Sequence, residues 1–495
     1  MNAPHAHLAV ADLGSNSFRL EIASAQSGHI ERIDYLKESV RLGAGINDAG
    51  ELSPGAMAQA WECLERFGER LRGFRPDQVR IIATQTLRQA TNAKAFITEG
   101  NRRLGYPISV VPGIEEARLI YQGVAHLLPL DDRSRLVIDI GGRSTEFAIG
   151  VGYVASGVAS LPMGSVSCSK AFFADGQLKS KSFQAARTAI STKVESLPES
   201  IKQAQWSVVY GASGTINAVT EILGGMQLSS QPITRDHIES LIARLIKFGR
   251  TENIEFVGLK SHRKEVIAGG ISALLGVMDA LRIEEIYPAQ GALRQGAFYD
   301  LLDRENRNTD VRERTIQSLQ LRLSVDLAQA NRVALVADQL FQSVAVANHR
   351  DKRFSRKLHW SAMVHEIGAV VNHTNAPRHS AYILQNIEAP GFSMEELQRL
   401  SDLVRAQKGR LKKFADLIVD ELFAKQLFSL RVAILFCNAR VDPDVSKVSA
   451  TYQDNAFRLH IPPMWAAAHP NTMFLLTEEC SQWDKSGYTL NIDIH

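Results

Sequence analysis

The sequence predicts an α/β protein in which two similar lobes face each other across a cleft, followed by an all-α domain and a small α+β tail. Three observations predict this. Short apolar strands that end in glycine turns alternate with helical periodicity up to Asp303. A strand–turn–strand pattern occurs twice in that stretch. Beyond Asp303 strand signals disappear until Val448. At 495 residues, a scale of roughly 150 residues per domain gives about three or four domains. The expected boundaries are 1–125 and 126–303 for the lobes, 304–444 for the helical domain and 445–495 for the tail.

Taken in order, Leu8 to Asp12 reads as a short apolar strand, Ser17 to Ala23 as an alternating one, and Ile30 to Arg41 as holding a third. Pro54 to Phe74 reads as an amphipathic helix with Met57, Trp61, Leu64 and Phe67 on one face. Val79 to Ala83 is a strand with a helix from about Leu87, and Ile108 to Val111 is a strand with a helix from about Ile114. The pattern then restarts, with strands at Arg135 to Asp139 and Thr145 to Gly150. Asp12-Leu13-Gly14-Ser15-Asn16-Ser17-Phe18 matches Asp139-Ile140-Gly141-Gly142-Arg143-Ser144-Thr145, with aspartate, glycine and serine at equal offsets. A repeated pattern predicts repeated architecture. The charged run Asp303 to Arg314 reads as a linker or exposed helix start, and Thr315 to Arg440 as helical. Strands are expected again at Phe457 to Ile461, Met473 to Thr477 and Tyr488 to Ile494.

Composition narrows the function classes. A net charge of +3 means that any polyanion-binding surface is a local patch. Cys63, Cys168, Cys437 and Cys480 are far apart and form no CxxC pair, which argues against a thiolate zinc site or a disulfide framework and fits a reducing compartment. Met1 to His7 has neither a cationic start nor an apolar run, so no signal peptide is expected. Val266 to Leu281 is too short for a membrane span and reads as a buried helix. Aromatic residues are sparse among the basic runs, which disfavours nucleic acid as a partner.

The chemistry sits in five short stretches. A phosphate needs backbone N–H groups aimed at it with no side chain in the way, and glycine turns supply them. In the first turn Gly14, Ser15, Asn16 and Ser17 offer such donors, and Asp12 at the strand end can hold hydrated Mg²⁺. The second turn, Asp139 to Glu146, repeats the device, as a cleft gripping successive phosphates from both sides requires. A third, Gly211-Ala212-Ser213-Gly214-Thr215, opens a helix whose N-terminus favours anions. Glu115 and Glu116 begin a predicted helix, where they serve either the helix dipole or, for one of them, as a general base for water. Arg88 at a strand-to-helix junction is either a phosphate clamp or a surface arginine.

Together these stretches resemble the exopolyphosphatase / guanosine pentaphosphatase (Ppx/GppA) family of actin-like phosphohydrolases. The resemblance is carried by Asp12 to Phe18, Thr84 to Arg88, Gly113 to Arg118, Asp139 to Glu146, Leu161 to Ser165, Gly211 to Thr215 and Gly291 to Gly296, with His365 to Gly368 and Arg378 to Leu384 further on. It implies two actin-like, ribonuclease H-like lobes, an all-α HD-like domain and a small α+β C-terminal domain. It implies Glu116 as the glutamate that activates water, and Asp139, with Asp12 assisting, as the holder of Mg²⁺. Gly14, Ser15, Asn16, Gly141, Gly142 and Ser144 would cradle phosphates, Arg88 would neutralise charge on the chain, and Glu146 would support metal or water. Ser17, Arg143, Gly211, Ser213, Gly214 and Thr215 complete the expected phosphate-binding set.

Arg143 departs from the third glycine usual in the family, and either narrows the loop or contacts the phosphate chain. His365-Glu366 stands where an HD domain has its His-Asp metal pair, so no metal is expected among His359, His365, His373 and His379. The expected substrate is inorganic polyphosphate, with guanosine pentaphosphate (pppGpp) 5′-phosphohydrolysis as the alternative. Basic runs at His349 to Lys357 and Lys408 to Lys413 would suit a long polyanion. A cytoplasmic homodimer is expected, with K⁺ open as an activator and peripheral membrane association also open. A sugar kinase or chaperone-type ATPase, and a non-enzymatic polyphosphate or nucleotide sensor, are the readings from other classes.

Overall fold

The computed structural model describes residues 6–26, 29–47, 49–228, 232–304, 310–345 and 349–495. The chain divides into two compact units, Met1–Asp310 and Val311–His495. The first unit begins with β1 (Ala6–Leu13), β2 (Phe18–Gln26), β3 (His29–Glu38), α1 (Pro54–Arg70), β4 (Val79–Ala83), α2 (Gln85–Gln89), α3 (Ala93–Leu104), β5 (Ile108–Val110) and α4 (Gly113–Ala125). It continues with β6 (Arg135–Ile140), β7 (Thr145–Val151), β8 (Val154–Leu161), α5 (Ser165–Phe172), α6 (Ser180–Val194), α7 (Glu199–Lys202) and β9 (Val208–Ala212). It closes with α8 (Ser213–Gly225), β10 (Ile233–Thr234), α9 (Arg235–Phe248), α10 (Lys264–Leu281), β11 (Glu285–Pro288) and α11 (Leu293–Asp303).

The sequence repeat is a repeat of topology. The first sheet runs β3-β2-β1-β4-β5, and the second runs β8-β7-β6-β9-β11 with β10 added at its edge. In both, the first three strands in chain order pair antiparallel, and the next two add parallel. The parallel crossovers put helices against the sheet, so β6 is buried along its whole length and reads as a nearly continuous apolar run.

Two helices join the lobes. α4 follows a strand of the first lobe but packs on β7 and β8 of the second, whereas α11 follows a strand of the second and packs on α4 and β1. One core therefore mixes Val10 and Ile82 with Val137 and Ala212 through Leu119, Val124 and Phe298. The α4–α11 contact is backbone on backbone: a Cβ on Gly296 would lie 1.8 Å from the carbonyl oxygen of Leu119, and one on Gly123 would lie 2.1 Å from that of Ala292. Neither neighbour is a side chain that can swing away. Gly296→Ala is expected to cost about 3 kcal/mol, the upper end of ordinary overpacking. A lowered urea midpoint with unchanged helix content would show it, and a midpoint equal to the wild type would refute it.

The second unit is built from α12 (Val311–Arg322), α13 (Leu327–Val344), α14 (His349–Met363), α15 (Ala376–Asn386), α16 (Met394–Ala406), α17 (Ala415–Ile418) and α18 (Glu421–Phe436). A sheet of order β12-β13-β14 follows, from β12 (Ser449–Gln453), β13 (Ala456–Ile461) and β14 (Thr489–Ile494), with α19 (Pro463–Ala468) and α20 (Pro470–Asp484) inserted before the last strand. Phe428 of α18 stacks on Phe457 of β13, with ring centroids 4.3 Å apart, so the sheet and the helices share one core.

Several expectations are corrected. The strand expected at Met473 to Thr477 is part of α20, because Leu476, Glu479 and Trp483, at helical spacing, are the positions this stretch buries. The helix expected from Leu87 is two helices. Asn92 breaks it by bonding both backbone groups of Leu52, accepting from its N–H (2.9 Å) and donating to its carbonyl (3.0 Å). The helix expected to reach Phe74 stops at Arg70, with Gly73 at φ +93° in the turn beyond. Of His359, His365, His373 and His379, two are held by protein groups. His359 bonds Asp338 (2.8 Å), and the buried His365 points Nδ1 at the carbonyl of Ala362 (2.6 Å). Lys408, Arg410, Lys412 and Lys413 are exposed, whereas the side chains of 349–352 lie outside the described residues. Among the described residues no helix is long and apolar enough to cross a membrane.

Candidate active site

Between the lobes lies a cleft of ≈ 290 Å³, and both predicted turns open into it. Asp12, Gly14, Ser15, Asn16 and Ser17 line one side, and Asp139, Gly141, Gly142, Arg143, Ser144 and Glu146 the other. The turns match in detail. A Cβ on Gly14 would sit 3.2 Å from the carbonyl oxygen of Ser17, and one on Gly141 would sit 3.1 Å from that of Ser144. Each glycine is therefore tight against its own turn, and backbone faces the cleft where a side chain would otherwise stand. Ser15 is also held from behind by the Thr86 hydroxyl, which donates to its Oγ (2.8 Å).

Ser213 and Gly214, at the start of α8, also line the cleft. Ser213 is held at φ +73°, which non-glycine residues adopt seldom. Gly211 and Thr215 do not line the cleft, contrary to expectation. Gly211 lies inside β9, where a Cβ would strike Ile216 and Ile286 at 2.7 and 2.8 Å. The Thr215 hydroxyl is buried and donates to the carbonyl of Ile140 (3.0 Å). These two residues pack the loop.

The paired glutamates of α4 separate. Glu115 is fully buried and accepts from Arg118 (2.7 and 2.9 Å) and Arg80 (3.3 Å). Glu116, one residue on, turns into the cleft. Arg88 does not line the cleft as a phosphate clamp would. Its Nη1 donates to Glu116 Oε2 (2.7 Å) and to the carbonyl of Val111 (2.8 Å), while Gln85 accepts from Nε and Nη2 (2.9 and 2.7 Å). Arg88 is thus the partner of Glu116. On the far wall Glu146 accepts from the Ser160 hydroxyl (2.9 Å).

Three carboxyls are displaced toward the neutral form. Burial raises Glu116, with Arg88 opposing. Burial pushes Asp139 up to about 7, against the nearby Ser213 hydroxyl and with the charges of Glu116 and Asp12 adding. Burial, then Glu116 and Asp139, raise Glu146 well above the usual range. Acids crowded in this way are relieved by a cation. Among the described residues no three of them converge to cage an ion unaided. Asp12 and Asp139, near the ends of β1 and β6, are the two aspartates of this cleft, and a hydrated hard cation takes one or two such carboxylates.

The cleft also carries a row of cations that sequence reasoning missed: Arg19, Lys37, Arg263 and Arg294. Burial and then Arg19 lower both Lys37 and Arg263, with Arg263 adding to the effect on Lys37. Positive charges are therefore crowded here, and an anion would relieve them. Arg19 had a signal, since Arg19 and Glu21 alternate with Phe18, Leu20 and Ile22 along β2. Arg294 lay inside the Gly291 to Gly296 stretch, which gave it no role of its own, and Arg263, in the 3-10 turn before α10, had no signal.

The family model described as the Ppx/GppA phosphatase family matches residues 21–305, and that described as Ppx/GppA phosphatase, domain III, matches residues 311–480. Among solved structures, an exopolyphosphatase from Cytophaga hutchinsonii is 22% identical with a TM-score of 0.54, over 60% of this chain and 98% of that one. The Ppx/GppA family member of Aquifex aeolicus is 24% identical with a TM-score of 0.52, over 61% of this chain and 99% of that one. At these identities the likeness is one of fold.

Proposed function

The chain belongs to the Ppx/GppA phosphatase family, and we propose that it is an exopolyphosphatase, a hydrolase that releases the terminal phosphate of inorganic polyphosphate. The observation that carries this reading is one cleft in which two glycine hairpins, a buried glutamate and a row of four cations converge. A single phosphate needs no such row, whereas a substrate with several consecutive phosphates does.

In this reading the backbone N–H groups of the two hairpins hold the terminal phosphoryl group and fix its orientation. Glu116 accepts a proton from the attacking water, and Arg88 holds that carboxylate in place. Asp139, with Asp12, would hold Mg²⁺, which when bound supplies charge neutralisation at the phosphate oxygens. Glu146 orients the same region through its bond with Ser160. Arg19, Lys37, Arg263 and Arg294 bind the phosphates that are not leaving. The four free cysteines accord with a cytoplasmic setting. A homodimer, K⁺ activation and peripheral membrane association remain expectations from the family resemblance.

The test is phosphate release with Mg²⁺, comparing long-chain polyphosphate with pppGpp at equal terminal-phosphate concentration. Faster turnover of polyphosphate, lost on adding EDTA and restored by Mg²⁺, is expected. Preference for pppGpp would move the chain to the alarmone branch with the same residues at work. Release from neither would remove the hydrolase reading.

A further inference from the structure

We propose that Arg143 is a positioning residue that latches the two phosphate hairpins together across the cleft. Arg143 sits in the β6–β7 turn of the second lobe, but its side chain reaches the first lobe. Nη1 donates to the carbonyl of Gly43 (2.9 Å), and Nε donates to Oε1 of Gln89 (3.1 Å), just past α2 Arg88. Gly43 lies in a 3-10 turn, Leu42–Gly45, that is sewn along the first hairpin. Its N–H donates to the carbonyl of Ser15 (2.8 Å), and the N–H of Arg41 donates to that of Asn16 (2.9 Å).

A continuous hydrogen-bonded path therefore runs from the second hairpin to the first, through Arg143, Gly43 and Ser15. The two turns nearly touch beneath it, since a Cβ on Gly142 would lie 3.7 Å from that of Ser15. Gly43 is itself wedged in place, with Ser15 and Thr86 atoms 3.0 to 3.2 Å from where its Cβ would be. The Gly43 acceptor of the latch is thus fixed, and its length is set by one planar guanidinium. Both bonds exist only while the lobes are this close. Arg143 thereby holds the spacing at which both hairpins grip one phosphoryl group, and it gives up two of its donor positions to lobe I in doing so.

This rests on the cleft being a phosphate site, so the first measurement needs no substrate. Spin labels at Glu62→Cys on α1 and Lys181→Cys on α6, both exposed positions, in a Cys480→Ser background, report the distance between lobes. Arg143→Ala is expected to lengthen and broaden that distribution, with Arg143→Lys between the two. The second measurement is kinetic. Arg143→Ala should lower kcat about tenfold with KM nearly unchanged, as expected when reacting groups are held slightly out of place. Gln89→Ala should lose less, and the double variant should be no worse than Arg143→Ala alone, because Gln89 acts through Arg143. An unchanged distance distribution overturns the latch. So do a raised KM and an additive double variant, which would mark Arg143 as a direct phosphate contact. If both polyphosphate and pppGpp prove to be the wrong substrate, the distance result stands unaffected.

Discussion

Replacing Glu116 by glutamine is expected to lower kcat for phosphate release by about 10³-fold, within the range for loss of a general base, with KM changed little. Glutamine has the same shape, and its carbonyl can still accept from Arg88, so the cleft keeps its form. What it loses is the capacity to take a proton. The neighbour is the control. Glu115 is fully buried in its ion pairs with Arg80 and Arg118, so Glu115→Gln should act on stability and reach catalysis only through the packing of α4. Arg88→Ala tests the same pair from the other side. Burial raises the Glu116 carboxyl and Arg88 opposes the rise, so removing Arg88 raises it further. The base must be ionised to act, so the acid limb of the pH–rate profile should move to higher pH in Arg88→Ala. A limb that stays put, or a glutamine variant with wild-type kcat, would take Glu116 out of the base role.

The lobes were legible because their signals are local. The repeated Asp-Gly-Ser turn encodes two hairpins, and strands such as β4 (Val79–Ala83) sit where their apolar runs predict. The α20 error has a physical cause: Met473 to Thr477 is a short apolar run, and only Glu479 and Trp483 further along disclose a helical period. The site was legible where it lies on turns. It was not legible where tertiary contacts decide. Arg88 sits at the right junction, but composition cannot say that its fork is turned to Glu116 and Gln85. Thr215 looks like a phosphate ligand, yet its hydroxyl is taken by Ile140. Arg263 and Arg294 lie on separate elements, and only the tertiary fold brings both to the cleft. Arg143 left two readings open, and neither foresaw its bond to Gly43, 100 residues away in sequence.

The same distance in sequence hides the residue on which the loss of stability should be largest. Asp300→Ala is expected to destabilise the first unit by about 3–5 kcal/mol, the cost of removing one partner from a buried ion cluster. Asp300 is 2% exposed and receives Arg80 from β4, Arg118 from α4 and, at 2.6 Å, Arg304 from the end of its own helix. Burial disfavours its charge, but Arg304, Arg80 and Arg118 outweigh that and hold its carboxyl well below the usual range. Its contribution is therefore complete above the unfolded-state carboxyl range and is lost only as pH falls through the lowered folded value. Near neutral pH the whole effect should be visible. Without Asp300, the three guanidiniums lose the buried carboxylate they share. The remedy identifies the cause: Arg118→Met added to Asp300→Ala should recover part of the loss, because one stranded charge has gone. Urea unfolding of the four variants gives the coupling directly. Additive losses would mean that the cluster is a set of independent contacts, whereas recovery in the double variant would show that α4, and with it Glu116, is seated by charge balance between the lobes.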